Sequence, residues 1–228
     1  MKHTLFIKLY FVISLFYLLI LYLGHENLDL YLKPILIPVL GFVVYLHERF
    51  PLRNTLLTAL LFSWIGDVIL LFADIAEIYF ILGLVSFLIS HIMYCIVFSK
   101  QIKTETKTNK SLFAIGSLVI MIYLFGILSV LSPSLGDLKI PVTVYATVIS
   151  IMLLLAFNGF LVWKKSGSKL VFIGAIAFVI SDSILAINKF YMPIQKSALI
   201  IMLTYLVAQY LIVVGVLKLN SKTKLVTS

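Results

Sequence analysis

A chain of 228 residues that is 62% apolar, only 12% charged and of mean hydropathy +1.15 cannot clothe a water-soluble domain, for which about 45–50% apolar is usual. At roughly 20 residues per helical crossing and short loops, it holds about eight membrane spans and little else. The net charge of +9 would point to nucleic acid in a soluble protein, but the basic residues fall between the apolar runs and read as topology, with no nucleic-acid partner implied.

In chain order the apolar spans are 5–23, 35–46, 55–72, 78–98, 112–131, 141–163, 171–187 and 198–217. The runs are continuous, whereas barrel strands alternate apolar and polar residues, so the fold class is an all-α polytopic bundle forming one integral membrane domain over 1–228. The first span resembles a signal peptide in position, yet Tyr22-Leu23-Gly24-His25 lacks the small-x-small cleavage pattern and the segment reads as a retained helix. The second span extends back through 28–34, with Pro34 and Pro38 placed in its first turns, where a missing N–H costs least. Cys95, the single cysteine, excludes an internal disulfide and a cysteine-cluster metal site.

Of the 18 basic residues, 14 fall at one set of span ends: Lys2, Lys8, Arg49, Arg53, the run from Lys100 to Lys110, the run from Lys164 to Lys169, and the tail from Lys218. Lys33, Lys139, Lys189 and Lys196 fall at the other. The positive-inside rule then puts both termini in the cytoplasm, which requires an even number of spans. Residues 59–70, ALLFSWIGDVIL, and 174–185, GAIAFVISDSIL, match loosely at an offset of 115, which fits a 4+4 parallel duplication with halves 1–99 and 111–219.

Seven of the nine carboxylates sit in loops or at span ends; Asp67 and Asp182 do not. Counted from the basic side, each lies about twelve residues, roughly 18 Å, into its span, where a charge costs at least ~2.5–3.5 kcal/mol. Such a residue faces a cavity or a partner; the plainer alternative is a carboxylate that only hydrogen-bonds neighbouring helices. Ser63 and Gly66 share the neighbourhood of Asp67; Ser181 and Ser183 flank Asp182, with Lys189 seven residues on. Lys189 and Lys33, which stands before Pro34 at a span entry, serve either as snorkelling anchors or as cations above a cavity. In span four, Gly83, Phe87, His91 and Tyr94 share a stripe; His91 alone reads as a helix-bridging group or as part of a site. The other imidazoles, His3, His25 and His47, lie outside the spans, so no catalytic metal is expected. Tyr205 and Gln209 stand one turn apart in span eight, and Pro141 and Tyr145 open span six.

Lys33-Pro34, FSWIGDVILL around Asp67, GLVSFLISHIMY with His91 and Tyr94, and AFVISDSIL around Asp182 occur in an order that resembles the YhhN-like lysoplasmalogenase family, from about residue 30 to the end. Tyr205 and Gln209 resemble that family's last-span pattern. The resemblance implies an eight-span hydrolase of the cell membrane, cytoplasmic if bacterial, that needs no cofactor. It would cleave the vinyl ether bond of lysoplasmalogens to a fatty aldehyde and a glycerophospho-choline or -ethanolamine. It also implies Asp67 and Asp182 as a catalytic pair, with Lys33, His91, Tyr94, Tyr145, Lys189, Tyr205 and Gln209 around the lipid substrate. The chemistry suits that inventory. A carboxyl kept protonated by apolar surroundings can donate to the β-carbon, and a second carboxylate can stabilise the cation and activate water. Asp67 is taken as acid and Asp182 as base, although no residue pattern orders them. A proton-coupled transporter would use the same two aspartates as a relay and stands as the alternative.

Overall fold

The computed structural model describes residues 2–102, 109–163 and 165–221, apart from the side chains of residues 2, 3 and 26. Lys103, Lys107, Lys164, Lys222 and Lys224, counted above for topology, lie outside the described residues, as do the side chains of Lys2 and His3.

Eight helices long and apolar enough to span a membrane make up the described chain. They are α1 (Lys2–Tyr22), α2 (Asp29–Leu46), α3 (Arg53–Leu70), α4 (Glu77–Ile102), α5 (Lys110–Leu131), α6 (Lys139–Val162), α7 (Gly167–Phe190) and α8 (Ser197–Asn220). In lipid every backbone N–H and C=O needs an internal partner, and uninterrupted helices supply it. Where a helix begins, a side chain helps: Asn109 accepts from the N–H of Leu112 at 3.2 Å and caps α5.

α2 corrects one expectation. It starts at Asp29, so Pro34 lies in its second turn and Pro38 in its middle, not both in the first turns. Pro38 has no N–H to offer the carbonyl of Pro34. That carbonyl accepts instead from Nε1 of Trp64 on α3, at 2.8 Å. A helix defect is thereby turned into a bond between neighbouring helices.

Seven helices close a ring in the order α1, α2, α3, α4, α6, α7, α8, and α1 returns to α8, where Tyr10 donates to the carbonyl of Leu206 at 2.8 Å. α5 hangs outside the ring on α6, with Ile122 63% and Phe125 70% exposed, so this helix faces lipid along most of its length. Lipid tails are as apolar as leucine, so small residues and interhelical hydrogen bonds hold the ring together. α7 and α8 approach backbone to backbone: a Cβ at Gly167 would stand 2.4 Å from the carbonyl oxygen of Gly215, and one at Gly174 would stand 3.0 Å from that of Ala208.

With eight successive helices running up and down, the start of α1 and the end of α8 fall at one end of the bundle. At the opposite, distal end, α3 is joined to α4, and two short 3-10 turns, Ser132–Ser134 and Gly136–Leu138, join α5 to α6. There Leu131, Leu135, Leu138 and Val142 form a small satellite core against Ile81 and Leu84 of α4 and Ala186, Ile187 and Phe190 of α7.

Candidate active site

Inside the ring, toward the distal end, α2, α3, α4, α7 and α8 enclose a cavity of about 270 Å³. Asp67 reaches it from the last turn of α3, and Asp182 from a point eight residues before the end of α7. Both carboxylates therefore open on one chamber, although their helices continue past them by different lengths.

Each carboxylate is held by a phenol from another helix. Tyr205 of α8 donates to Oδ2 of Asp67 at 2.6 Å, and Tyr145 of α6 donates to Oδ2 of Asp182. The fully buried imidazole of His91 places Nε2 3.8 Å from the same Asp182 oxygen, beyond hydrogen-bonding reach. Its ring stands edge-on to Tyr145 and Phe178, with centroids at 5.3 and 4.6 Å. Glycine makes the room. A Cβ at Gly66, next to Asp67, would come within 2.6 Å of the Phe87 ring that walls the chamber.

One turn deeper the polar residues turn toward each other. The hydroxyl of Tyr94 donates to Oε1 of Gln209 (2.5 Å), Nε2 of Gln209 to Ser63 (2.9 Å), Ser63 to Ser90 (2.7 Å) and Ser90 to the carbonyl of Ala59 (2.9 Å). Each hydroxyl has one proton, so the chain runs in a single direction and ends on the α3 backbone. Tyr205 and Gln209, one turn apart on α8, thus meet Asp67 and Ser63, one turn apart on α3. Tyr94 and Gln209 are not among the residues that line the chamber; they form the layer beneath it.

Lys33 and Lys189 line the chamber from α2 and the end of α7, and Nζ of Lys189 lies 5.2 Å from the ring centroid of Phe80. Asp29, Asp74, Asn188 and Ser197 share this lining and were not singled out in the sequence. As residues at helix ends and in loops they carry no pattern that marks them. Tyr123 was also passed over: from the peripheral α5 its hydroxyl meets that of Ser183, next to Asp182, at 2.7 Å. A tyrosine inside an apolar span was its one signal. Among the described residues no group of three or more His, Cys, Asp or Glu side chains is placed to hold a metal ion.

A second, apolar chamber of about 40 Å³ adjoins the first, sharing Leu70, Phe80, Phe87, Asp182 and Leu185 with it. Asp182 is the one carboxylate on both walls; Asp67 borders only the larger chamber.

The sequence model of the YhhN family matches residues 28–216. Among curated proteins the chain is similar to lysoplasmalogenase TMEM86A of Homo sapiens, at 32% identity over 170 residues, which is 71% of this chain and 65% of that protein. It is similar to lysoplasmalogenase TMEM86A of Bos taurus at 29% identity over the same shares. The match thus spans about 65% of the length of these relatives. No solved structure matches.

Proposed function

This chain belongs to the YhhN family, and on that premise we propose that it is a multi-pass membrane hydrolase that cleaves the vinyl ether bond of lysoplasmalogens. The relatives named lysoplasmalogenase supply the substrate class. The observation that carries the reading is the pair Asp67 and Asp182, each gripped by a phenol from another helix and both bordering one chamber beneath two lysines.

The reaction consumes one water and needs two proton-handling groups. One carboxyl gives its proton to the second carbon of the alkenyl chain, the π pair forming the new C–H bond and leaving an oxocarbenium ion at the first carbon. The other carboxylate faces that cation and takes a proton from the attacking water. The hemiacetal then returns its hydroxyl proton to the first carboxylate, while the second protonates the departing glycerol oxygen. Aldehyde and glycerophospho-alcohol leave, and both carboxyls regain their starting states. Lys33 and Lys189, at the chamber wall, suit the substrate phosphate as cations. Tyr145 and Tyr205 hold the carboxylates in place, and Tyr94 and Gln209 brace the helices beneath. His91, wedged against Tyr145, fills the wall behind Asp182.

The packing favours hydrolysis over proton-coupled transport. Beneath the aspartates the ring is filled by Tyr94, Phe98, Met152 and Phe178, all fully buried. Purified protein in detergent, incubated with a lysoplasmalogen, is expected to release free aldehyde. Absence of aldehyde from folded protein, with proton-coupled substrate uptake in sealed vesicles, would replace this reading with the transporter.

A further inference from the structure

The small apolar chamber beside Asp182 has no role in the reaction as written, yet it is built from four helices. Leu70 comes from α3, Phe80, Leu84 and Phe87 from α4, Val142 and Tyr145 from α6, and Leu185, Ala186 and Phe190 from α7. Apart from Asp182 and the hydroxyl of Tyr145, whose proton goes to that carboxylate, its walls are hydrocarbon. It runs on from Asp182 to Leu84, Val142, Ala186 and Phe190, where the distal ends of α4, α6 and α7 meet. Of these, α4 packs mainly on α3 and α6, and α7 on α8 and α6. At the distal end the satellite core of the α5–α6 connection packs over the place where α4, α6 and α7 meet, and Leu84, Val142, Ala186 and Phe190 belong both to it and to the annex.

From this we infer that the apolar annex is the inner mouth of a lateral portal for the hydrocarbon chain of a single-chain ether phospholipid. The chain threads from the aspartates past Leu84 of α4, Val142 of α6 and Ala186 of α7, where the distal ends of these helices meet, into the lipid. The inference rests on the proposed substrate and adds where its tail goes. A volume of about 40 Å³, against about 270 Å³ for the polar chamber, cannot house a long fatty chain, so the chain must leave the protein. A polar route is closed to it: the larger chamber carries Asp29, Lys33, Asp74 and Lys189, and stranding hydrocarbon among charged groups forfeits its burial. Through the annex, the headgroup stays with the lysines and the bond next to the ether oxygen lies at the junction of the chambers, where Asp182 stands. Leu84 and Phe190 are only partly buried, and such side chains can part by rotamer changes, which is what a portal requires.

The grooves on the outer surface offer the competing path. One, of about 370 Å³, is formed by Ile37, Pro38, Gly41, Leu57, Leu60, Leu61 and Trp64 on α2 and α3, and none of its residues borders the aspartates' chamber.

The test is photolabelling of the purified full-length chain by a 1-O-alkyl lysophospholipid with a diazirine in mid-chain. Its saturated ether is not a vinyl ether, so labelling does not depend on hydrolysis. Saturable labelling, competed by the unlabelled lipid, is expected on peptides containing Leu84, Val142 or Ala186. Ala186→Trp, and independently Leu84→Trp, should reduce it at least fivefold with an unchanged melting temperature. Competed labelling confined to the α2–α3 groove, or annex labelling undiminished in both folded tryptophan variants, overturns the portal. Aldehyde release from a lysoplasmalogen by the same wild-type preparation reports separately on the hydrolase reading. Competed annex labelling without aldehyde keeps the portal and removes the hydrolase; aldehyde without competed annex labelling does the reverse.

Discussion

Tyr145 of α6 donates its phenolic proton to Oδ2 of Asp182 on α7, and the fully buried His91 of α4 packs its ring edge-on against that phenol. Three helices thus converge on one carboxylate, whose orientation is set from outside its own helix. Tyr145→Phe keeps the ring and its packing and deletes one donor. A neutral hydrogen bond contributes about 0.5–1.5 kcal/mol net, which is about two- to thirteenfold in rate if spent on positioning. The variant is expected to lose turnover by that factor with KM within twofold of wild type. An equal rise in KM would mean that the phenol binds substrate instead.

For the aspartates themselves the effect should be larger. Asn keeps the size of Asp and still accepts from Tyr145 or Tyr205, but neither gives nor takes the proton. Asp67→Asn and Asp182→Asn are each expected to lower aldehyde release about 10²–10⁴-fold, the usual contribution of a general acid or base. The two groups act in one reaction, so the double variant should be scarcely worse than either single one. Thermal unfolding in detergent should show all three as well folded as wild type. Near-normal turnover in either folded single variant would end the paired-carboxylate mechanism.

Trp64 and Pro38 allow a prediction about the scaffold alone. Trp64→Phe removes the donor to the Pro34 carbonyl and should cost about 0.5–1.5 kcal/mol. Pro38→Ala restores an N–H that can pair that carbonyl within α2. In the Pro38→Ala background the cost of Trp64→Phe should therefore shrink toward the packing difference alone. A double-mutant cycle of unfolding free energies checks this, and full additivity would deny the link between the missing N–H and the indole.

The eight helices were legible because lipid demands continuous apolar runs, and the observed ends fall within a few residues of the runs read from the sequence. Asp67 and Asp182 were legible for the opposite reason: a carboxylate inside such a run is costly enough to stand out. Their phenolic partners were legible only in part: Tyr145 and Tyr205 were named around the substrate, but not as the holders of a particular carboxylate. Tyr145, Tyr205 and Tyr123 sit in spans as tolerable amphipathic residues, and only the ring order shows which meets Asp67, Asp182 or Ser183. Tyr94 and Gln209 looked equally suited to the pocket, yet they satisfy each other one turn below it. The start of α2 near residue 28 was legible, but both prolines were still assigned to its first turns, whereas counted from Asp29 Pro34 falls in the second turn and Pro38 in the middle. The position of α5 outside the ring could not be read at all, since its composition matches that of its neighbours while its contacts do not.

Lys33 lines the chamber one turn into α2, and Asp29 and Asp67 share that lining. If it holds the substrate phosphate, Lys33→Ala should raise KM for a lysoplasmalogen about tenfold or more, with a smaller change in kcat. Arginine retains the charge but spreads it over a planar fork, so Lys33→Arg should recover only part of the loss. A KM unchanged in Lys33→Ala would leave the residue as an anchor at the membrane surface.

The order of the two aspartates follows if the alkenyl chain occupies the annex. The carbon that takes the proton lies on the chain side of the double bond, and Asp182 is the carboxylate that borders the annex; Asp67 borders only the polar chamber, where the ether oxygen and water would lie. Asp182 is then the acid and Asp67 the group that receives the proton from water, the reverse of the order adopted from the sequence. Azide distinguishes the two roles, because it needs no deprotonation to attack an oxocarbenium ion. Asp67→Ala still holds the acid, so added azide should trap the cation as an azido ether, detectable by mass spectrometry as substrate plus hydrazoic acid. Asp182→Ala cannot form the cation, and azide should give no adduct. An adduct in Asp182→Ala and none in Asp67→Ala would restore the original order and count against the chain path that implies this one.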